Sequence, residues 1–200
     1  MENLVEVKNL KKKYGLKEAV KGISFNIKEN EILGLLGPNG SGKTTTIGMM
    51  LGLLKPTDGE ILINGKKIEE NRIESLQKIN FISPYIELPK KLTVKQNLIV
   101  YCRLYNVSNI KNRIEYLVEK LRLEDLLNRV TGELSSGQKN RASLAKALIN
   151  NPTVLFLDEP TASLDPEIGD FIRSFLENYK KDKKISILLA SHNMNEVTRL

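Results

Sequence analysis

The chain has 200 residues, of which 40% are hydrophobic and 28% charged, which suits a single globular domain with a sizeable core. No apolar run approaches the roughly 18–20 residues that span a bilayer, the N-terminal segment has no signal-peptide pattern, and the lone Cys102 excludes an intrachain disulfide. The net charge of +7 comes from scattered lysines with few aromatic residues among them, which argues against a nucleic-acid partner. We therefore expect a cytoplasmic protein that reaches a membrane only through a partner.

The first half of the sequence predicts β-strands. Residues 4–7 and 23–27 alternate apolar and polar side chains, as half-buried strands do. Residues 60–68 predict a hairpin, because an Asn-Gly pair within them favours a two-residue turn. Residues 32–36 are apolar throughout, which predicts a strand covered on both faces.

Residues 94–150 change to a helical period. Two apolar helix faces recur in this stretch, formed by Val94, Leu98, Tyr101, Cys102 and Tyr105 and then by Ile114, Leu117, Val118 and Leu121. Two further apolar runs, at 154–157 and 185–190, predict buried strands. Between them, Asp165 followed by Pro166 predicts the start of a helix.

Buried strands that alternate with helices predict an α/β fold with a largely parallel sheet. The alternating strands near the N-terminus are expected to form an antiparallel β part of the same domain. The helical stretch, at about residues 83–151, is expected to be a subdomain inserted between the core segments 1–82 and 152–200.

Residues 37–44, GPNGSGKT, lie between an apolar strand and a helical pattern and match the P-loop G-x-x-x-x-G-K-[ST] of NTPases. Glycines let backbone N–H groups close around phosphate oxygens, and the helix N-terminus adds positive potential. Lys43 can reach the β- and γ-phosphates, and the Thr44 hydroxyl can bind Mg²⁺. A glycine-rich turn that binds nothing is disfavoured, because the preceding strand, Lys43 and Thr44 all stand at the positions that the P-loop pattern requires. The nucleotide-binding residues predicted here are Gly37, Pro38, Asn39, Gly40, Ser41, Gly42, Lys43, Thr44 and Thr45.

The apolar strand at 154–157 ends in two carboxylates, Asp158 and Glu159. Ligands of open α/β sheets lie beyond the carboxyl ends of the strands. Asp158 is therefore expected to hold Mg²⁺, through water, and Glu159 to polarise the attacking water. A solvated acidic turn is the alternative, and a P-loop in the same chain disfavours it.

Residues 134–138, LSSGQ, precede another helical pattern. Serines at a helix start are common capping residues. A helix N-terminus can also bind phosphate. The spacing alone does not choose between these two interpretations.

Taken in order, the P-loop, LSSGQ, VLFLDEP, Ser163-Leu164-Asp165 and Ser191-His192 strongly resemble the nucleotide-binding domain of ABC (ATP-binding cassette) ATPases over essentially the whole chain. The resemblance implies that Tyr14 stacks on adenine and that His192 contacts the γ-phosphate, so that Glu159, His192 and Lys43 are the catalytic residues. It further implies that Ser135 and Gly137 contact ATP bound to a second copy of the cassette, and that Asp165 helps to shape the dimer interface.

The same resemblance implies a function and its partners. Two cassettes would sandwich ATP and Mg²⁺ and hydrolyse ATP to drive export through a separate transmembrane subunit. The cassette would lie at the cytoplasmic face of the membrane, with no direct nucleic-acid partner expected. Two alternatives remain, a slow or non-hydrolytic nucleotide switch and a soluble ABC ATPase without a membrane partner.

Three departures from the family pattern accompany the resemblance. The Q-loop glutamine, which in the family follows a strand like residues 79–83, aligns with Pro84. Ser136 replaces the commoner glycine of the signature. The chain also ends eight residues after His192, where family domains continue, so a truncated C-terminal end is expected.

Overall fold

Two four-stranded sheets carry the fold of the computed structural model, which describes residues 3–162 and 164–194. In chain order the strands are β1 (Asn3–Tyr14), β2 (Lys17–Lys28), β3 (Ile32–Leu36), β4 (Asp58–Ile63), β5 (Lys66–Lys67), β6 (Ile79–Ile82), β7 (Val154–Asp158) and β8 (Ser186–Ser191). The helices are α1 (Lys43–Met50), α2 (Arg72–Gln77), α3 (Val94–Leu104), α4 (Ile110–Leu121), α5 (Ser136–Leu148) and α6 (Pro166–Lys183).

The first sheet is antiparallel, with the strand order β2-β1-β4-β5. The alternating segments 4–7 and 23–27 lie in β1 and β2, as predicted. The hairpin between β4 and β5 is also confirmed. Its two turn residues, Asn64 and Gly65, have φ values of 50° and 74°, the left-handed conformations that this type of turn requires.

The second sheet is parallel, with the order β3-β8-β7-β6, which confirms the predicted parallel core. Every residue of the interior strands β7 and β8 is buried. By contrast, β3 is an edge strand of the described sheet, and Leu36 is 43% exposed. The prediction that residues 32–36 are covered on both faces is therefore wrong for the described residues, because a uniformly apolar strand does not reveal where it lies in the sheet.

The parallel sheet determines where loops meet. The carboxyl ends of its four strands lie at one edge, so the segments that follow β3, β6, β7 and β8 converge there. These four segments begin at Gly37, Ser83, Glu159 and His192.

Helices α3, α4 and α5 lie between β6 and β7 in the chain and share one core with the parallel sheet. The guanidinium of Arg113 on α4 donates through Nε to the carbonyl oxygen of Ile149 (3.1 Å), at the end of α5. In return Arg141 on α5 donates through Nη1 to the carbonyl oxygen of Arg122 (2.7 Å), at the end of α4. Each helix thus satisfies terminal carbonyls of the other, which have no partner within their own helix.

Helix α6 begins directly after Asp165, with Pro166 as its first residue, as predicted. Its buried positions include Ile172 and Leu176, which belong to the same core as the parallel sheet. Across the described residues, no helix is both long and apolar enough to cross a bilayer.

Lys146 on α5 carries its ammonium group to a site between β6 and α3. Its Nζ donates to Oδ1 of Asn80 (3.2 Å) and lies 5.2 Å from the centroid of the Tyr101 ring. Burial lowers the pKa of Lys146 from its ordinary value of 10.5 to about 8. Below pH 8 both the folded and unfolded states bind this proton, whereas between about pH 8 and 10.5 only the unfolded state does. The free energy of unfolding therefore rises with pH in that interval.

Lys146→Met is expected to raise the free energy of unfolding at pH 7 by about 1–3 kcal/mol and to remove this part of the pH dependence. Methionine fills similar apolar space without burying a charge, and Oδ1 of Asn80 still accepts from the Phe81 N–H at 2.9 Å. Chemical denaturation at pH 7 and pH 9.5 measures both effects. Lys111→Met, at a position on α4 whose side chain is 82% exposed, is the control and should change stability by less than about 0.5 kcal/mol. A Lys146→Met protein less stable than wild type at pH 7 would contradict this account.

Candidate functional site

A cavity of about 460 Å³ opens at the carboxyl edge of the parallel sheet, and we call it the P-loop pocket. It brings together predicted residues from three parts of the chain. Tyr14 comes from the end of β1, and Asp158 and Glu159 come from the end of β7. The loop between β3 and α1, with the first turn of that helix, contributes Asn39, Gly40, Gly42, Lys43, Thr44 and Thr45.

The backbone of the P-loop depends on glycine at its last turn. Gly42 has a φ of 98° and is the N-cap residue of α1, and a Cβ built on it would lie 2.4 Å from the carbonyl oxygen of Ala19. Only glycine combines this conformation with so close an approach. Helix α1 consequently begins with its N-terminal N–H groups at the pocket, where they can bind an anion.

The three remaining P-loop residues, Gly37, Pro38 and Ser41, do not line this pocket but hold the loop in shape. Nζ of Lys43 donates to the carbonyl oxygens of Gly37 (2.6 Å) and Pro38 (3.1 Å). Ser41 N–H donates to the carbonyl oxygen of Pro38 at 3.2 Å. The lysine ammonium therefore already lies inside the loop that would surround the phosphates.

Thr44 and Asp158 form the pair predicted to hold Mg²⁺. The Thr44 hydroxyl donates to Oδ2 of Asp158 at 3.0 Å. Asp158 is 1% exposed, and burial raises the pKa of its carboxyl, against the lowering influence of the Thr44 hydroxyl. A hydroxyl and a carboxylate oxygen at this distance fit a hard cation that takes its other ligands from phosphate and water. In the described part of the chain no group of three or more His, Cys, Asp or Glu side chains could hold a metal by itself.

Glu159 lies at the centre of a hydrogen-bonded group at the ends of β7 and β8. Its Oε1 accepts from the backbone N–H of His192 at 2.9 Å and lies 2.6 Å from Nδ1 of the same residue. The Ser191 hydroxyl donates to Oε2 at 3.3 Å. Glu159 also has a φ of 50°, a left-handed conformation that costs a glutamate on the order of 1–3 kcal/mol.

This arrangement orients the Glu159 carboxylate and links it to His192, which motif matching did not predict. The signal was available in principle, because β7 and β8 are both apolar runs that end in polar residues. Asp158 in fact pairs with Ala190 across the two strands, so the residues that follow must lie side by side.

The LSSGQ segment lies apart from the P-loop pocket, at the start of α5. The Ser135 hydroxyl accepts from the Gln138 N–H (3.4 Å), and Oε1 of Gln138 accepts from the Ser135 N–H (3.1 Å). The capping interpretation is therefore confirmed. Ser135 is exposed and Gly137 is half-buried, so the N-terminus of α5 stays open to a ligand from outside the chain.

The remaining predicted residues lie at element ends. Tyr14 is 50% exposed, and Nζ of Lys12 lies 5.2 Å from the centroid of its ring. Asp165 is exposed at the N-terminus of α6. Ser163, in the same motif, lies outside the described residues.

Pro84 does not line the P-loop pocket; it lines a separate cavity of about 300 Å³ beside α5. Its neighbour Tyr85 lines the P-loop pocket instead. Sequence reasoning missed Tyr85, because nothing in its spacing from Lys43 or Asp158 indicates that it reaches this site.

Residues 20–162 match the protein-family model described as ABC transporter. The chain belongs to the ABC transporter family. Its P-loop, its Asp158-Glu159 pair and its LSSGQ segment all lie within the matched residues.

Relatives in this family include ATP-binding proteins named for export and transport. The chain is 39% identical to the Nod factor export ATP-binding protein I of Burkholderia orbicola (strain AU 1054), over 98% of this chain and 65% of the relative. It is 36% identical to the bacitracin transport ATP-binding protein BcrA of Bacillus licheniformis, over 100% of this chain and 65% of the relative. The chain thus spans about 65% of the length of these relatives.

Solved structures of ABC cassettes have the same fold. A dimeric, post-hydrolysis structure of the cassette MJ0796 bound to ADP and Pi superposes with a TM-score of 0.88 at 29% identity, covering 98% of this chain and 90% of that one. The structure of cbiO1 from Clostridium perfringens, part of the transporter complex cbiONQ, gives 0.82 at 32% identity, covering 96% and 80%. The predicted α/β fold with a P-loop NTPase core is therefore confirmed.

Proposed function

We propose that this chain binds and hydrolyses ATP as the cassette of an ABC exporter. The observation that carries the proposal is the convergence, in one pocket, of a P-loop with its Lys43, the Thr44–Asp158 pair and an oriented Glu159 carboxylate. A phosphate-binding loop alone would support binding only. The carboxylate beside it supplies a group that can accept the proton of an attacking water.

Nucleotide binding begins with the phosphates. The N–H groups at the start of α1 bind the phosphate oxygens, and Nζ of Lys43 exchanges its carbonyl partners on Gly37 and Pro38 for the β- and γ-phosphates. The adenine stacks on the exposed ring of Tyr14. Thr44 and Asp158 hold Mg²⁺, which when bound neutralises charge on the phosphates.

Hydrolysis then uses the carboxylate at the end of β7. Glu159 accepts a proton from water as the water oxygen bonds to the γ-phosphorus, and the bond from that phosphorus to the β–γ bridging oxygen breaks, releasing ADP and phosphate. His192 holds Oε1 of Glu159 through its backbone N–H and Nδ1, so that the carboxylate keeps its direction. His192 does not line the pocket itself but contacts Glu159, which does; in this proposal its ring also contacts the γ-phosphate.

A complete site needs a second copy of the cassette in this proposal. The open N-terminus of α5, with Ser135 and Gly137, would contact the γ-phosphate of ATP bound to the partner, and Asp165 would lie in the interface. The cassette MJ0796, which has the same fold, has been solved as a dimer. The helical part at about 83–151 would act as a subdomain that carries α5 towards that partner.

The membrane partner is proposed from the relatives. Two of them are named for export of Nod factor and for transport of bacitracin, and cbiO1 is part of a transporter complex. We accordingly place this chain at the cytoplasmic face of a membrane, bound to a separate transmembrane subunit that selects the cargo.

A second candidate function is a nucleotide switch that binds ATP and hydrolyses it slowly or not at all. Pro84 favours it, because proline has neither an N–H nor a polar side chain to offer at a position where the family has glutamine. The two candidate functions differ in the rate at which the protein hydrolyses ATP.

Phosphate release by the purified protein at saturating Mg²⁺ and ATP tests the proposal. We expect turnover per subunit to rise with protein concentration, because two copies must meet to complete each site. Glu159→Gln, purified in the same way, is the blank for contaminating phosphatases. A wild type no faster than this variant, with both binding ATP and with turnover per subunit independent of protein concentration, would leave only the nucleotide switch.

A further inference from the structure

Tyr85 is an aromatic residue at the mouth of the P-loop pocket that none of the roles above uses. It lines the pocket together with Thr44, Asp158 and Glu159, yet it is 79% exposed. An exposed aromatic side chain gains little from the protein core, so burial does not explain its presence at this place.

The backbone fixes where this side chain starts. Residues 83–86 form a turn in which the Ile86 N–H donates to the carbonyl oxygen of Ser83 at 3.2 Å. Pro84 occupies the second position of that turn, where its restricted φ is favourable. The Tyr85 N–H donates to the hydroxyl of Ser83 at 3.3 Å, and Ser83 is itself only 5% exposed. The turn is thus anchored in the buried end of the strand, while the ring of Tyr85 stays free to turn towards a ligand.

Strand register decides which side of the pocket Tyr85 approaches. The last residue of β6, Ile82, pairs with Leu157 of β7, so the chain leaves β6 next to Asp158 and Glu159. Tyr14, by contrast, reaches the pocket from the antiparallel sheet. The two tyrosines therefore approach from different sheets, and Tyr85 lies on the side of the carboxylates Asp158 and Glu159.

We propose that the hydroxyl of Tyr85 donates a hydrogen bond to the γ-phosphate of bound ATP and so makes the pocket prefer ATP to ADP. This role rests on the proposed function, because it requires the nucleotide to bind with its phosphates in the P-loop. A phenol hydroxyl is a suitable donor to an anionic oxygen, and hydrogen bonds to charged groups are the stronger ones. Pro84, the preceding residue, has no such donor.

Nucleotide affinity tests the proposal without relying on turnover. Isothermal titration of the wild type and of Tyr85→Phe, both with Mg²⁺, compares ADP with the non-hydrolysable β,γ-imido analogue of ATP. We expect Tyr85→Phe to bind the analogue about fivefold more weakly or worse and to bind ADP as the wild type does. The melting temperature should not change, because the substitution removes one exposed hydroxyl.

Tyr101→Phe is the matched control, since it removes a hydroxyl from α3, outside the P-loop pocket; it should change neither affinity. Equal affinity of wild type and Tyr85→Phe for the analogue would overturn the role of Tyr85 alone. Equal weakening for ADP and the analogue would also overturn it, because the loss would then not depend on the γ-phosphate. A wild type that binds neither ligand would instead overturn the proposed function itself.

Discussion

Glu159→Gln is expected to lower phosphate release at saturating ATP by about 100-fold or more, while ATP affinity stays within about threefold of wild type. The reason is chemical, because a carboxamide has nearly the shape of a carboxylate but does not accept the proton of the attacking water. General-base catalysis by a positioned side chain contributes roughly 10²–10⁴-fold. The substitution removes that contribution and leaves Lys43, Thr44 and Asp158 in place to bind the nucleotide.

The contacts and backbone of residue 159 can accommodate glutamine, so a loss of turnover would come from the missing carboxylate. A glutamine Oε1 still accepts from the His192 N–H, and its amide can donate to the Ser191 hydroxyl, so two of the three present contacts keep a counterpart. The backbone at φ 50° is unaffected by the change of side chain. Glu167→Gln, an exposed carboxylate in the first turn of α6, is the matched control and should turn over as wild type does. A Glu159→Gln protein that keeps more than about a tenth of wild-type turnover would exclude Glu159 as the base.

Gly42→Ala is expected to weaken ATP binding by about 100-fold. Alanine at a φ of 98° is strained by roughly 1–3 kcal/mol, and its Cβ would approach the carbonyl oxygen of Ala19 to 2.4 Å. Relief of that contact requires the P-loop to move away from β2. Because Gly42 is the N-cap residue of α1, the movement misdirects the N–H groups that we propose bind phosphate.

Gly40→Ala separates the contact from the backbone strain. Gly40 also has a left-handed φ, of 81°, but a Cβ there would meet no atom within 4 Å. We expect a loss of about tenfold or less in ATP affinity for this variant. Isothermal titration with ATP and Mg²⁺ measures the affinity of both variants and of the wild type. Equal losses in the two variants would mean that φ alone decides the effect, and wild-type affinity in Gly42→Ala would contradict the geometry given for the loop.

The sequence predicts which residues belong to the candidate site better than it predicts which side chains lie next to each other there. The P-loop and the Asp158-Glu159 pair are local patterns, since one short segment contains both the residues and the strand that presents them. The buried strands β7 and β8 were predictable for the same reason. Their apolar runs are long enough to identify, and strands interior to a parallel sheet have no solvent-facing side.

What could not be predicted depends on sheet order. The edge position of β3 and the contact between Glu159 and His192 both follow from the arrangement β3-β8-β7-β6, which no single segment encodes. The short helix α2 was missed because its six residues include only one buried side chain, Ser75, and therefore show no apolar period. Tyr85 was missed because a turn, and not a motif, carries it to the pocket.

The exchanged arginine contacts of α4 and α5 have a mechanical consequence. Arg113 and Arg141 each fasten the other helix at its carboxyl end, so the two helices resist separation at both ends of their shared length. A force applied to the start of α5 would therefore be shared with α4 through these contacts.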